Sequence, residues 1–265
     1  MKVYSNEITS NEASAIMAAL PDGRRNTYLG IAQKNSSSDL TIAAARLYIW
    51  NGYLASVVDR VTGEVEVLLR NCIDAGFSEW NCAPKQKGSR EWLLFPEGVL
   101  SEIVAPVGNK PLTEYAHLDT VRGVPVHDDY VAGLTFGNWV HLLPKPHAQG
   151  NNSRVILWDE ALEPRVRGLN RVIFQKRAMF VKDMRNRATH RRPLVKDISA
   201  IEKVHQSCVE LSRAMNPELG EWIRNERWIP EALEQSPLKW LKGHFVWINR
   251  CGFPGQPWAM PGSCF

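Results

Sequence analysis

Hydrophobic positions recur at helical intervals along two long stretches of the chain. The first covers residues 40–77. There Ile42, Leu47, Ile49, Trp50, Leu54, Val57, Val58, Val61, Val65, Leu68 and Leu69 fall roughly three or four apart, the spacing of one helix face. Gly52 and Gly63 weaken this pattern without breaking it. Glu66 and Arg70 stand four apart on the same helix and so meet on one face. A serine-rich break at 33–39 precedes the stretch, and Ser38 or Asp39 offers an N-cap. Upstream, a short helix is expected over 13–20, ended by turn chemistry at Pro21-Asp22-Gly23.

Residues 80–126 read differently. Prolines at 84, 96, 106, 111 and 125 predict short helices joined by irregular connections. A buried helix follows over 131–143, then a loop over 144–152. The second long helical stretch covers 155–190, with interruptions expected near Pro164 and Gly168. Leu162, Val166, Leu169, Val172, Ile173, Met179, Phe180 and Met184 form its apolar stripe, with cationic residues between them. Pro193 stops this helix. A further amphipathic helix is expected over 197–215 and two short ones over 218–241, while the Gly, Pro and aromatic-rich tail 243–265 has no helical period. The expected fold is all-α, a helical bundle with irregular proline-rich insertions. Its expected parts are a lead with a short helix (1–39), the main helical domain (40–215) and a C-terminal helical and aromatic extension packed on that domain (216–265).

Composition narrows the functional classes. Hydrophobic residues make up 44% and charged residues 23% of 265, an ordinary globular balance. No apolar run reaches the ~18 residues of a membrane span, and residues 1–14 lack a signal-peptide pattern, so a cytoplasmic protein with no membrane partner is expected. Five scattered cysteines without a Cys-x-x-Cys pair argue against a zinc ribbon. A phosphate-cradling Gly-x4-Gly-Lys loop, a dinucleotide fingerprint and a Gly-x-Ser-x-Gly elbow are all missing. No cofactor is expected.

The charge is unevenly spread. From Arg165 to Arg192, ten Lys or Arg face one acid, Asp183, which is a footprint for a polyanion. Within it, Lys182-Asp183-Met184-Arg185-Asn186-Arg187-Ala188-Thr189-His190-Arg191-Arg192-Pro193 carries the candidate chemistry. Cutting a phosphodiester without metal needs a group that moves protons near neutral pH, which suits His190. It also needs a fixed cation for the phosphoryl oxygens, which suits Arg185. Lys182, Arg187, Arg191 and Arg192 are the expected RNA-backbone contacts. Pro193 places His190 in or near the last turn, where the helix dipole favours imidazolium and the neighbouring arginines oppose it. Five helical steps separate Arg185 and His190 by about 140°. To share one phosphate, either the helix distorts between them or two copies of the motif converge across a dimer.

Two rival readings stand beside this one. His127 and Asp128, with His117, Asp119 and Asp129 nearby, suggest a metal-dependent phosphohydrolase, since a His-Asp pair can hold a divalent ion. The basic run alone suits a non-catalytic RNA- or partner-binding helical protein.

Three blocks in order give the segment a wider context. They are Arg46-Leu47-Tyr48-Ile49-Trp50-Asn51 continuing to Glu66-Val67-Leu68-Leu69-Arg70-Asn71-Cys72-Ile73-Asp74, then Leu134-Thr135-Phe136-Gly137-Asn138-Trp139, then Met184 to Leu194 with its Arg-Asn-Arg-x-x-His-x-x-Pro. In order and spacing, residues 26–200 resemble the abortive-infection-like (Abi-like) proteins of the HEPN nuclease superfamily. The resemblance implies a HEPN-like bundle, a homodimer, and a metal-independent endoribonuclease with Arg185, Asn186 and His190 in its catalytic motif. It implies attack by the ribose 2′-hydroxyl, giving 2′,3′-cyclic phosphate and 5′-hydroxyl ends. It also implies a phage-defence or toxin–antitoxin role with a protein or RNA antitoxin. Glu66, Arg70 and Asn71 fit the first block, either bordering the cleavage site or fixing the first long helix against the last. The second block reads chiefly as core packing. Where the family carries a second His or an acid after its catalytic His, this chain has Arg191 and Arg192.

Overall fold

The computed structural model describes residues 7–35, 39–105, 110–118 and 123–238. The tail 243–265, Asp119 and the Ser38 cap candidate lie outside them. Among the described residues the regular structure is helical throughout, with no β-strand. Eleven α-helices follow in order: α1 Ser10–Ala18, α2 Asp22–Lys34, α3 Leu40–Asn81, α4 Val99–Val104, α5 His127–Gly133, α6 Phe136–Leu142, α7 Ser153–Leu157, α8 Arg171–Thr189, α9 Ile198–Met215, α10 Pro217–Asn225 and α11 Trp228–Glu234. None of the described helices is long and apolar enough to cross a membrane.

Helix α3 is the longest element, 42 residues. Asp39 starts it, its Oδ1 accepting the Ile42 N–H at 2.9 Å. The chain forms two compact units, one from the described residues up to Trp50 and from Pro230 onward, the other from Asn51–Ile229. The long helix therefore supplies residues to both. In the first unit Tyr28 and Tyr48 meet edge to face and the Trp50 indole donates to the Ala232 carbonyl at 3.0 Å. In the second, Phe77, Trp92 and Trp139 form a buried aromatic cluster, with Trp92 edge-on to both of the others.

Several local expectations change. Asp22 and Gly23 open α2 rather than a loop. Pro21 precedes the first turn, where its missing N–H costs nothing, and Asp22 adds favourable charge there and pairs with Arg25. The single helix expected over 131–143 is two. The Thr135 hydroxyl accepts the Asn138 N–H while the Asn138 side chain accepts the Thr135 N–H at 3.0 Å, a reciprocal cap that restarts the chain as α6. The stretch 155–190 breaks where Pro164 and Gly168 suggest. A π-turn (Trp158–Leu162) and a 3₁₀ turn (Glu163–Arg165) follow α7, and Gly168 adopts φ 74°. Helix α9 begins one residue later than expected, because Asp197 is its cap and accepts the Ala200 N–H at 3.0 Å.

Candidate active site at the end of helix α8

Helix α8 is capped at both ends by its own sequence. Asn170 accepts the Ile173 N–H at 3.0 Å. At the other end Thr189 is the last helical residue and His190 the C-cap. Arg191 turns left-handed, φ 46°. Its N–H donates to the Ala188 carbonyl at 2.8 Å and the Arg192 N–H donates to the Arg187 carbonyl at 2.9 Å, the paired bonds of a Schellman motif. Pro193 follows. The imidazole of His190 and the side chains of Arg191 and Arg192 are exposed around this turn.

Helix α3 holds the turn in place through three polar residues. Asn51, 2% exposed, captures the chain beyond it. Its Oδ1 accepts the Leu194 N–H at 2.7 Å and the Val195 N–H at 3.2 Å, and its Nδ2 donates to the Arg192 carbonyl at 3.3 Å. Eight residues on, Asp59 Oδ1 accepts the Thr189 hydroxyl at 2.6 Å. Seven further, Glu66 Oε2 lies 3.5 Å from Arg185 Nε. These positions fall on one stripe of α3 and meet the end of α8 in reverse order, so the two helices run antiparallel here. Glu66 is 14% exposed against 36% for Arg185. Burial pushes the Glu66 carboxyl above its ordinary range, and the nearby Asp59 carboxylate adds to this. The Arg185 and Arg70 guanidinium groups and the Phe136 N–H pull the other way without prevailing.

The expected site residues divide. Arg185, Glu66 and Arg70 come together, and Arg70 keeps a buried Nε with no hydrogen-bond partner. Asn71 is exposed and takes no part in these contacts. Asn186 is exposed, its carbonyl accepting the His190 N–H at 3.2 Å. Lys182 is mostly covered and paired with Asp183 at 2.8 Å. Arg187 is half-buried and helps hold the Asp197 carboxyl below its usual range, after the larger effects of the Ser199 hydroxyl and Ala200 N–H. Arg185 and His190 do not converge on one helix: α8 stays regular through Thr189, and the backbone departs from helix at the C-cap His190, φ −82° and ψ 9°. The distortion expected as one route to a shared phosphate is therefore not present.

Asp59 and Thr189 carried no signal of their own in the sequence. The seven-residue interval from Asp59 to Glu66, two helical turns, was the available clue. The rival residues are also placed. His127 Nε2 meets Asp74 Oδ1 at 2.8 Å, and the Trp92 indole donates to the same oxygen at 2.8 Å. Asp129 is a cap, its Oδ2 accepting the Val126 N–H at 2.9 Å. The His117 N–H donates to the Gly133 carbonyl at 2.8 Å. Among the described residues no three His, Cys, Asp or Glu side chains are grouped to hold a metal ion.

No family model, curated protein or solved structure matches the chain.

Proposed function

We propose that this protein is a metal-independent endoribonuclease of the HEPN kind, working as a cytoplasmic homodimer and held in check by an antitoxin. The reading rests chiefly on one observation. An exposed imidazole, flanked by exposed guanidinium groups, is set at a helix end that Asn51 and Asp59 hydrogen-bond from a neighbouring helix, with Glu66 paired to Arg185. Preorganisation of this kind is what phosphodiester cleavage requires, because the stabilising charges need no reorganisation as the reaction proceeds.

In the proposed reaction the 2′-oxygen attacks phosphorus and the P–O5′ bond breaks. One His190 takes the 2′-hydroxyl proton and the His190 of a second copy gives a proton to the departing 5′-oxygen. Arg185 clamps the non-bridging oxygens in the pentacoordinate state and Asn186 orients the reacting group. Arg187, Arg191, Arg192 and Lys182 hold flanking phosphates, so affinity falls with salt. A two-fold dimer brings the pairs together where one regular helix cannot. The test is end-group analysis of RNA incubated with purified protein in chelator. Cyclic phosphate and 5′-hydroxyl ends, lost in His190→Ala with stability changed by no more than about 0.5 kcal/mol, support the reading. Equal cleavage by His190→Ala and the parent overturns it.

A second reading, RNA binding without cleavage, is favoured by the lack of any contact joining Arg185 to His190. It predicts unchanged RNA affinity in His190→Ala and no cleavage by the parent.

A further inference from the structure

A second group of cations gathers at the end of α8 opposite the His190 turn. Between residues 130 and 158 the chain has no Asp or Glu, while it carries His141, Lys145, His147 and Arg154. His141 lies in the last turn of α6, Lys145 in the loop that follows, and Arg154 on α7. Arg154 Nε donates to the His141 carbonyl at 2.9 Å, which ties α7 to the end of α6. Arg171, the first residue of α8, fastens the loop between them. Its Nη1 donates to the Lys145 carbonyl at 3.4 Å and its Nη2 to the Ala148 carbonyl at 3.3 Å. Nineteen residues of α8, about 27 Å of helix, separate this end from the turn at His190.

These cations have no counter-charge in the protein. Among the described residues no carboxylate pairs with His141, Lys145 or Arg154. Arg154 is half-buried and its Nε alone is used, so the planar fork of its two terminal nitrogens is left unmatched. Burial pulls the Arg154 guanidinium below its ordinary pKa, and no acid opposes the shift. Partial burial, then the charges of Arg154 and Lys145, hold the His141 imidazole below its usual range. Both charges therefore reach the same ring. A cation drawn out of water is normally paired, so a half-buried guanidinium among other cations indicates a missing anion.

The donors narrow the choice of anion. The arginine fork matches two oxygens of one tetrahedral group. Lys145 adds a point charge and the neutral His141 ring adds one N–H donor. A phosphate monoester, with about −1.5 to −2 charge at neutral pH, offsets both permanent cations, as do two successive phosphates of a strand. A single carboxylate offsets one. We propose that His141, Lys145 and Arg154 form a binding site for phosphate, carried either by an RNA strand or by a free phosphorylated small molecule.

The test is titration calorimetry on the full chain with AMP, beside adenosine and acetate. Saturable one-to-one binding of AMP alone is expected. Affinity should fall by about tenfold or more in Arg154→Gln and about threefold in Lys145→Gln, and stay unchanged in Lys34→Gln, an exposed lysine on α2. Lys145 is exposed, so its variant carries the test should Arg154→Gln fail to fold. In NMR spectra of the histidine rings, the His141 resonance should move on addition of AMP while that of buried His205 stays. A 2′-O-methyl oligoribonucleotide, which has no attacking hydroxyl, then identifies the source. Weaker binding in Lys145→Gln, with the salt slope reduced by about 1, assigns the site to an RNA phosphate. Unchanged oligonucleotide affinity assigns it to a free phosphorylated molecule. The proposal is overturned by no AMP saturation at tens of millimolar, by acetate binding as tightly, or by a stationary His141 resonance. It is also overturned if AMP affinity is lost in Arg185→Ala and kept in Lys145→Gln. Cleavage is not read, so failure here leaves the reading of the His190 turn untouched.

Discussion

Arg185 Nε stands 3.5 Å from Glu66 Oε2, so the guanidinium expected to clamp phosphate faces a half-buried carboxylate on α3. The separation is that of an ion pair looser than a good hydrogen bond. Phosphate oxygens can therefore take Glu66's place at modest cost, while the carboxylate keeps the guanidinium aimed in the free protein. Arg185→Ala should lower cleavage by about 10²-fold or more. Arg185→Lys should recover little of this, because an ammonium lacks the planar fork. Single-turnover cleavage of a labelled RNA measures both.

Glu66 itself should respond to acid in an unusual direction. Its folded-state pKa is raised, so the folded protein takes up the proton before the unfolded chain does as pH falls toward 4.5, the ordinary value. Glu66 thus lowers stability above that window, and its burden disappears within it. Glu66→Gln should leave stability at pH 7 unchanged or raised, and should remove this part of the pH dependence between neutral and 4.5. Urea denaturation across pH checks it. A clear loss of stability at pH 7 would show that the ion pair outweighs the burial cost.

Asn51 holds the turn after α8 by satisfying two buried N–H groups and one carbonyl. Asn51→Ala leaves the Leu194 and Val195 N–H groups without that acceptor and should cost about 2–3 kcal/mol. Hydrogen exchange at Leu194 and Val195 should accelerate more than exchange in α9, since the damage is local.

Arg191 occupies left-handed backbone at φ 46°, which strains a residue with a Cβ. Arg191→Gly should gain about 0.5–1 kcal/mol in denaturant unfolding. The same variant should bind RNA more weakly, with the salt slope of affinity reduced by about 1. Stability and binding moving in opposite directions would separate the backbone role of position 191 from its charge.

His205 on α9 reports on acid lability. Burial, helped by the Arg227 charge, pushes its pKa down from 6.5 to about 4. The unfolded ring takes up a proton below 6.5 and the folded ring does not until about 4, so stability is lost as pH falls through that window and is unaffected above it. The loss amounts to up to about 3 kcal/mol. His205→Gln should flatten the pH–stability curve between 6.5 and 4.

Local chemistry in the sequence was enough for the helical class and for the long elements. Apolar spacing marked α3 and α8, Pro164 and Gly168 marked the break before α8, and Pro193 marked its end, because helix period and proline geometry act within a few residues. The same logic missed α2 and joined α5 to α6. There the outcome turned on which of two turn-compatible residues becomes a cap, as at Pro21 and Thr135.

For the candidate site, the sequence alone singled out Arg185 and His190 as candidates and gave their angular separation on a regular helix. Only the tertiary structure decided that the helix stays regular between them and that Asn51, Asp59 and Glu66 fix its end. It also decided that His127 faces Asp74 and Trp92. Periodicity tells which face of a helix a residue occupies, but the residue opposite that face comes from an element more than a hundred positions away in the case of Asn51 and Leu194. Such partners are set by packing, which no short-range pattern records.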